Sequence, residues 1–290
     1  MIKIGNYTVN TKHFPDGTQC LMDVDTKLCA NNSGYFNIRW NYESDEELVT
    51  LIYLVNHLRS LYHNCCIRLS MPYIPNARMD RTKHNSEVFT LKYFADIINS
   101  LNFDMVSVLD PHSDVSVALL NMVYVESPDD YIARAIQIIM NNNHIINDDK
   151  IVIYFPDAGA YKRYKDMECL KPYHKYYGQK TRDWESGKIT GLKIVNENNT
   201  EFSLDGKIVI MVDDIISYGG TFYYSSLELK KLGAEKIYAY ASHVEPKSLW
   251  DKEKGTFIKS LLDGTVTKLY TTNSIYNLDG NDFVIPISLF

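Results

Sequence analysis

Short apolar runs alternate with longer amphipathic segments along most of this chain, and this alternation constrains the fold more than any other feature. The apolar runs that predict strands are CIRLSMPY (66–73), MVSVLD (105–110), IVIYFPD (151–157), IVIMVDD (208–214) and IYAYASH (237–243). The segments with helical spacing are 45–62, 86–101, 128–142 and 221–233. Strands that alternate with helices favour parallel sheets covered by helices, so we predict an α/β protein.

The two halves of the chain resemble one another, which predicts two similar domains. In each half an apolar run meets a proline and a polar loop, SMPYIPNARMDR in the first and YFPDAGAYKRYK in the second. In each half a later apolar run ends in acidic residues, as VSVLDPHSD and as VIMVDDIIS. The Ser-Pro-Asp-Asp turn within 125–130 can open a helix and marks the predicted boundary. We therefore predict an N-terminal domain over 1–127 and a C-terminal domain over 128–290, with the tail 277–290 assignable to either.

Length, charge and cysteine content limit the classes of function. The chain has 290 residues, a net charge of −6 and no long run of Lys or Arg, which argues against a nucleic-acid partner. No apolar run approaches the roughly 18 residues that span a membrane, and MIKIGNYTVN lacks the apolar core of a signal peptide. The five cysteines are odd in number and form no CxxC pair, which favours reduced thiols over disulfides or zinc. We expect a cytoplasmic protein without a membrane partner.

The stretch IVIMVDDIISYGGTF has the residues of a sugar-phosphate site. Asp213 and Asp214 follow a predicted buried strand, where carboxylates can accept hydrogen bonds from ribose hydroxyls or help to bind Mg²⁺. Gly219 and Gly220 permit backbone shapes that turn N–H groups towards an anion, and the following helix adds positive potential. Thr221 can cap that helix and bond a phosphate oxygen. The alternative interpretation is an ordinary strand–turn–helix connection with polar turn residues.

This stretch is similar to the phosphoribosyl-pyrophosphate loop that type I phosphoribosyltransferases share with ribose-phosphate pyrophosphokinases. Seven other segments resemble the pyrophosphokinases, in the same order along nearly the whole chain: FPDGT (14–18), YIPNARMDR (73–81), SVLDPHSD (107–114), FPDAGAYKR (155–163), QKTR (179–182), YASHVEP (240–246) and YTTNSI (270–275). Simple phosphoribosyltransferases have one such domain, so the order and the length favour the pyrophosphokinases. The resemblance implies two type I phosphoribosyltransferase-like domains, each a mostly parallel sheet flanked by helices.

The resemblance also implies an activity. A pyrophosphokinase of this kind moves the β,γ-diphosphate of ATP to the anomeric hydroxyl of a ribose 5-phosphate moiety and releases AMP. The implied cofactor is Mg²⁺, the N-terminal domain lies on the ATP side, and the C-terminal domain binds the acceptor. A homo-oligomer whose ATP site is shared between subunits is also implied. Two other classes stay open: a catalytically silent regulator with the same fold, and a phosphoribosyltransferase that consumes the diphosphate donor.

The resemblance assigns individual residues to each part of the site. The residues implied to bind ATP are Phe14 and Asp16 around the adenine, together with Arg78, Asp80, Arg81 and His112. The implied Mg²⁺ ligands are His112 and Asp157, and the implied catalytic residues are Lys180, Arg182 and His112. The implied acceptor-binding residues are Asp213, Asp214, Ser217, Tyr218, Gly219, Gly220 and Thr221. These residues also have purely structural interpretations: His112 as a histidine at a strand end, Asp157 as a helix cap, and Lys180 and Arg182 as a solvated surface pair.

Several positions depart from the family pattern. The family's glutamate in the adenine segment is Thr18 here, its glutamine in the ATP loop is Met79, and its Lys-Arg-Arg is Lys-Thr-Arg. The phosphate loop of the family reads Asp-Thr-Gly-Gly-Thr, whereas this chain has Ser217 and Tyr218 before the glycines. A tyrosine ring is easier to explain if the 5′-phosphate carries a larger group. A phage branch that resembles this family makes ADP-ribose pyrophosphate for NAD⁺ synthesis, so ribose 5-phosphate and ADP-ribose both stay open as acceptors.

Overall fold

In the computed structural model the chain divides into two compact units, residues 1–127 and 128–290. The structure describes residues 1–22, 24, 34–182, 189–198, 200–276 and 281–289, and it leaves out the side chains of 180–182 and 189–190. Each unit has its own sheet, whose strands are mostly parallel and are flanked by helices. The prediction of this α/β fold class is confirmed.

The first unit contains a six-stranded sheet and a separate hairpin. Its strands are β1 (Ile2–Ile4), β2 (Tyr7–Thr8), β3 (Thr11–His13), β4 (Gln19–Leu21), β5 (Tyr35–Trp40), β6 (Cys66–Ser70), β7 (Met105–Leu109) and β8 (Val123–Glu126). Its helices are α1 (Glu46–Leu61), α2 (Thr90–Ser100) and α3 (Asp114–Leu119). The sheet order is β2-β1-β5-β6-β7-β8, with β5 to β8 parallel, and β3 pairs with β4 outside this sheet.

The second unit contains a seven-stranded sheet. Its strands are β9 (Ile151–Phe155), β10 (His174–Arg182), β11 (Ile189–Asn196), β12 (Ile208–Ile216), β13 (Lys236–Val244), β14 (Lys268–Thr272) and β15 (Val284–Ile287). Its helices are α4 (Asp129–Asn142), α5 (Ala158–Tyr164), α6 (Gly220–Lys231), α7 (Pro246–Leu249) and α8 (Phe257–Leu262), with 3₁₀ turns at Asp148–Lys150 and Glu168–Leu170. The order is β11-β10-β9-β12-β13-β14-β15, and only the β10–β11 pairing among the described strands of this sheet is antiparallel.

The central strands of the second sheet are apolar over most of their length because helices cover both of its faces. All five residues of β9 are buried, as are the first five residues of β12 and the last eight of β13. Two separate groups of buried side chains pack on the two faces of the sheet. Strands that are buried on both faces read as continuous hydrophobic runs, which is why these three could be recognised from the sequence.

The observed elements differ from the predicted ones mainly at their ends. The strands predicted over 66–73 and 151–157 end at Ser70 and Phe155, shortly before a proline in each case. The helix predicted over 86–101 begins only at Thr90, and before it the Glu87 carboxylate accepts a hydrogen bond from the Lys83 amide at 2.6 Å. In the part of the chain that the structure describes, no helix is long and apolar enough to cross a membrane.

Candidate active site

Three carboxylates lie at the carboxyl edge of the second sheet. Asp157 follows β9 and Asp213 and Asp214 lie near the end of β12, and these two strands are parallel neighbours. Burial and the adjacent Asp214 carboxylate raise the pKa of the Asp213 carboxyl well above its ordinary value, and the charge of Asp157 adds to the effect. The structure therefore brings these three sequence-predicted residues together.

The two neighbouring aspartates differ in their surroundings. The Asp214 side chain is almost fully buried, and its Oδ2 atom lies 3.7 Å from Nη1 of Arg163 in α5. Asp213 is half-buried, and its Oδ1 atom accepts a hydrogen bond from the Asp214 amide at 2.9 Å. The Arg163 guanidinium therefore places a positive charge beside the buried Asp214 carboxyl. Sequence reasoning passed over Arg163, although it ends the FPDAGAYKR segment that carries part of the resemblance.

Asp157 is the N-cap residue of α5. Its Oδ1 atom accepts hydrogen bonds from the amides of Gly159 and Ala160, both at 3.0 Å. The interpretation of Asp157 as a helix cap therefore accounts for only one of its two carboxylate oxygens. A carboxylate offers about four lone-pair positions, so capping through Oδ1 leaves Asp157 able to accept further ligands.

The glycine turn after β12 makes a left-handed start to α6. Gly219 has a φ of 71° and is the N-cap residue, and the helix begins at Gly220. The first amide to donate within the helix is that of Tyr223, which bonds the Gly219 carbonyl at 3.0 Å. The amides before it have no acceptor one turn earlier and point away from the helix start, as in an anion site. The expectation that Thr221 caps the helix is wrong, because the left-handed glycine takes that position.

The backbone of the turn is anchored from the side of α8. The Tyr218 carbonyl accepts hydrogen bonds from the amide and hydroxyl of Thr256, both at 2.9 Å, and from the Phe257 amide at 3.1 Å. A Cβ atom added to Gly219 would overlap the Phe257 side chain, so this position requires glycine for space as well as for φ. The Tyr218 side chain, in contrast, is 40% exposed. The loop thus has a fixed backbone and an exposed ring, with Ser217 half-buried beside it.

Lys180 and Arg182 lie on β10, beyond the region where this strand pairs with β9. The last β9 pairing joins Phe155 to Tyr177, and further along β10 the partner is β11. The backbone at Lys180 faces Leu192, but the Lys180 and Arg182 side chains lie outside the described part of the structure. Their assignment as catalytic cations stays a prediction.

In the first unit, two predicted segments follow neighbouring strands. The loop with Arg78, Asp80 and Arg81 follows β6, and His112 lies between β7 and α3, so both segments leave the carboxyl edge of this sheet. Arg78 and Arg81 are exposed, and Arg81 Nε lies 3.0 Å from Asp80 Oδ1. The Asp80 side chain is only 14% exposed, so Arg81 is the outward-facing member of this pair. Next to the half-buried His112, Asp110 is buried with a φ of 42°, an uncommon backbone shape that is more frequent at functional sites.

Phe14 and Asp16 lie in the turn of the β3–β4 hairpin, which is not part of the six-stranded sheet. Phe14 is 48% exposed, a large fraction for an apolar ring. Asp16 Oδ1 accepts hydrogen bonds from the hydroxyl of Thr18 at 2.7 Å and from its amide at 2.9 Å, and these bonds lower the pKa of Asp16. Thr18, which stands where the family has a glutamate, therefore holds the Asp16 carboxylate in place.

Comparisons with known proteins show which enzymes this chain resembles. No family model matches the chain. A ribose-phosphate pyrophosphokinase from Sulfurisphaera tokodaii is 28% identical over 291 residues, covering 99% of this chain and 91% of the relative. One from Methanobrevibacter smithii is 26% identical over 241 residues, covering 79% of this chain and 75% of the relative. This chain is a homologue of the ribose-phosphate pyrophosphokinases.

The solved structures agree on the fold. A phosphoribosylpyrophosphate synthetase from Mycobacterium smegmatis superposes with a TM-score of 0.67, at 16% identity, over 97% of this chain and 86% of that chain. At this level of sequence identity, the structural similarity is evidence for a shared fold. The prediction of a transferase of the pyrophosphokinase type is confirmed by the names of the relatives, whereas none of these names refers to ADP-ribose or to a phage.

The carboxylates at this edge of the second sheet offer donor groups for a divalent cation. In the described part of the chain, no group of three or more His, Cys, Asp or Glu residues is arranged to hold a metal ion. Mg²⁺ at phosphate-transfer sites is usually held by one or two carboxylates, water and the substrate phosphates, so a complete protein cage is not required. The carboxylates of Asp157, Asp213 and Asp214 at one sheet edge fit a cation that is bound in this way.

Proposed function

We propose that this protein is a diphosphotransferase that moves the β,γ-diphosphate of ATP to the anomeric hydroxyl of a ribose 5-phosphate moiety and releases AMP. The observation that carries the proposal is the edge of the second sheet, where Asp213 and Asp214 precede the left-handed glycine start of α6. Carboxylates next to an anion-binding helix start suit a ligand that joins vicinal hydroxyls to a phosphate. The homology to ribose-phosphate pyrophosphokinases supports the same ligand and adds ATP as the donor.

The acceptor side of the reaction follows from the differing aspartates. A carboxyl whose pKa is raised by burial and by a neighbouring carboxylate can donate a hydrogen bond when it carries its proton and can accept one when it does not. Ribose hydroxyls both donate and accept, so Asp213 and Asp214 together suit the 2′- and 3′-hydroxyls. The amides at the start of α6, with Ser217 and Thr221, then bind the phosphate and hold the anomeric hydroxyl towards the diphosphate.

The donor side rests on the resemblance and on the placement of its residues. We assign the adenine to Phe14 and Asp16, and the phosphates to Arg78, Asp80, Arg81 and His112. We assign Lys180 and Arg182 to the charge that develops on the moving diphosphate, where cations act mainly on the transition state. His112 in the first unit and Asp157 in the second are each assigned to Mg²⁺, which would neutralise charge on the triphosphate when it is bound.

A second acceptor, ADP-ribose, is favoured by Tyr218. The carbonyl of this residue is fixed by Thr256 and Phe257 while its ring is 40% exposed, so the ring can contact a group that extends beyond the 5′-phosphate. Aromatic rings stack on nucleobases and other flat groups with little loss of side-chain entropy. With this acceptor the product would be ADP-ribose pyrophosphate, a precursor for NAD⁺ synthesis.

The test of the proposed function is product analysis with each acceptor. The protein is incubated with Mg-ATP and either ribose 5-phosphate or ADP-ribose, and the products are identified by mass. We expect AMP and an acceptor that has gained one diphosphate group. ATP binding by calorimetry without AMP formation from either acceptor would instead indicate a silent regulator. Incorporation of labelled pyrophosphate with a base and without ATP would indicate a phosphoribosyltransferase.

Tyr218→Thr tests the choice of acceptor. The substitution restores the small hydroxylated residue of the family loop, so we expect kcat/KM for ribose 5-phosphate to rise relative to that for ADP-ribose, by about tenfold for one lost stacking contact. Competition between the two acceptors measures this ratio directly. Tyr224→Thr, on an exposed position of α6, is the matched control. An unchanged ratio in Tyr218→Thr would show that the ring does not select the acceptor.

A further inference from the structure

The strands β10 and β11 extend from the second sheet as a two-stranded ribbon that carries Lys180 and Arg182. The pairing of β9 with β10 ends at Tyr177, whereas the pairing of β10 with β11 continues to Arg182. The position of both cations therefore depends on how the ribbon is held at its base, around Tyr177 and Gly178.

The base of the ribbon is packed without spare space. A Cβ atom added to Gly178 would lie 2.5 Å from Tyr154 Oη, 2.6 Å from the Pro156 carbonyl oxygen and 2.9 Å from Leu192 Cδ1. Tyr154 is itself fixed, because its buried hydroxyl hydrogen-bonds Ser225 Oγ at 2.9 Å. The close approach of Gly178 places the ribbon against rigid neighbours on one side of β10.

One side chain contacts both strands of the ribbon from the other side. The Tyr161 ring, on α5, stacks on the ring of Tyr177 in β10, with centroids 4.5 Å apart and an interplanar angle of 25°. Tyr161 Oη donates a hydrogen bond to Oε1 of Glu197, the residue that follows β11, at 3.0 Å. Phe155 packs edge-on against the same ring at 5.8 Å, and Lys165 Nζ lies 5.5 Å from its centroid. Tyr161 is thus held on several sides and joins the two strands at their base.

The same side chain connects the ribbon to Asp157. The Tyr161 amide donates to the Asp157 carbonyl at 3.0 Å, one helical turn earlier, and Asp157 caps this helix with its side chain. We propose that Tyr161 is a positioning residue, which fixes the β10–β11 ribbon, and with it Lys180 and Arg182, relative to Asp157. The proposal takes the roles of these three residues from the proposed function.

The protonation of Tyr161 is consistent with this role. Burial and the hydrogen bond to Glu197 raise its pKa to about 12, so the hydroxyl remains a donor throughout the neutral range. The alternative is a purely structural role, in which Tyr161 only fills space between α5 and the sheet. In that case the ring alone would matter, and the loss of the hydroxyl would change neither the ribbon nor turnover.

Tyr161→Phe separates these alternatives, because it keeps the stacked ring and removes the bond to Glu197. Glu197→Ala removes the same bond from the other side, and Tyr93→Phe on the exposed face of α2 is the matched control. Hydrogen exchange of the amides in 178–182 and 191–196 is compared among these variants. We expect exchange to become about fivefold faster in Tyr161→Phe and Glu197→Ala, with no further increase in the double variant, as for the loss of one shared hydrogen bond.

The kinetic readout shows whether the ribbon matters for turnover. We expect kcat to fall about fivefold in Tyr161→Phe with the KM for ATP unchanged, and to fall much less when Lys180 is already alanine, because the effect passes through that cation. Unchanged exchange and kcat in Tyr161→Phe would overturn the proposal, as would faster exchange throughout the second unit. If the wild-type protein formed no AMP, the proposed function would fail, while ribbon exchange would still decide whether Tyr161 fixes the ribbon.

Discussion

At the scale of single residues, adjacent aspartates at the end of β12 have acquired different surroundings. Asp214 is buried beside Arg163, whereas burial and the neighbouring carboxylate raise the pKa of Asp213. The raised pKa of Asp213 makes the stability of the folded protein depend on pH.

Asp213→Asn tests the raised pKa. A carboxyl whose folded-state pKa exceeds its unfolded value of 3.8 contributes stability that is fully present below pH 3.8 and is lost as the pH rises through the raised value. The neutral asparagine does not lose this stability, so we expect the gain in Tm over the wild type to be larger at pH 7 than at pH 4. Thermal unfolding without ligands measures it. Asp96→Asn, on the exposed face of α2, is the control, and an equal gain at both pH values would contradict the assignment.

Lys180→Ala and Arg182→Ala test the assigned cations. Groups that act on the transition state affect kcat more than ground-state binding, so we expect each change to lower kcat by about 100-fold or more and to alter the Kd of ATP by less than about threefold. Steady-state kinetics and calorimetry measure the two quantities. Lys193→Ala, on β11 opposite Gln179, is the matched control on the same ribbon. Parallel losses of kcat and ATP affinity would place these residues in ground-state binding instead.

Residues whose signal is local could be located from the sequence, and residues whose contacts are long-range could not. The carboxylates and glycines of the acceptor loop stand together within one strand–turn–helix connection. Arg163 and Thr256 reach the same loop from elsewhere in the chain, so no spacing rule indicates them. The assignment of the helix cap to Thr221 was wrong because the space left by Phe257 forces a glycine to take the N-cap position.

At the scale of elements, the start of α6 depends on a glycine that a neighbouring helix leaves no room to replace. Gly219→Ala introduces a methyl group at a φ of 71° and against Phe257, so we expect it to lower the free energy of unfolding by about 2–4 kcal/mol and to abolish acceptor binding. Gly264→Ala is the matched control, because Gly264 has a φ of 79° with open space around it and should cost only about 1 kcal/mol. Denaturant unfolding that gives equal losses for both variants would rule out the steric part.

The central strands could be predicted as elements because each contains a long apolar run, while the ribbon could not. The residues of β10 include lysine, glutamine and arginine, and they belong to a strand that leaves the sheet. The strand β5 was also missed, although alternate residues of it are buried as expected for a strand. The hydrophobic pattern therefore located the central strands, but it did not indicate the β10–β11 ribbon, which carries the proposed cations.

At the scale of the whole molecule, each unit supplies only part of the proposed machinery. The exposed Phe14 lies on a hairpin outside the six-stranded sheet. We expect the ATP site to be shared, with Phe14 and Asp16 of one subunit completing the site of its partner.

Mixing two inactive variants tests the shared site. Phe14→Ala changes a residue that a subunit supplies to its partner's site, whereas Lys180→Ala changes a residue of the subunit's own site. A hybrid dimer of the two variants therefore has one site whose residues are all wild type. Random exchange makes half of the dimers hybrids, and we expect about one quarter of the wild-type AMP formation. Lys180→Ala mixed with Arg182→Ala is the control, since no hybrid of these two has an intact site. Activity of the first mixture equal to the mean of its separate components would contradict sharing.

The transfer of an intact diphosphate from ATP is the central claim, and the fate of labelled phosphoryl groups tests it most directly. ATP with heavy oxygen in its γ-phosphoryl group is incubated with Mg²⁺, the protein and the better acceptor, and each product is weighed by mass spectrometry. We expect unlabelled AMP and an acceptor heavier by one diphosphate that carries the whole label. An acceptor that has gained a single phosphoryl group, or labelled free pyrophosphate beside an unchanged acceptor, would contradict the claim.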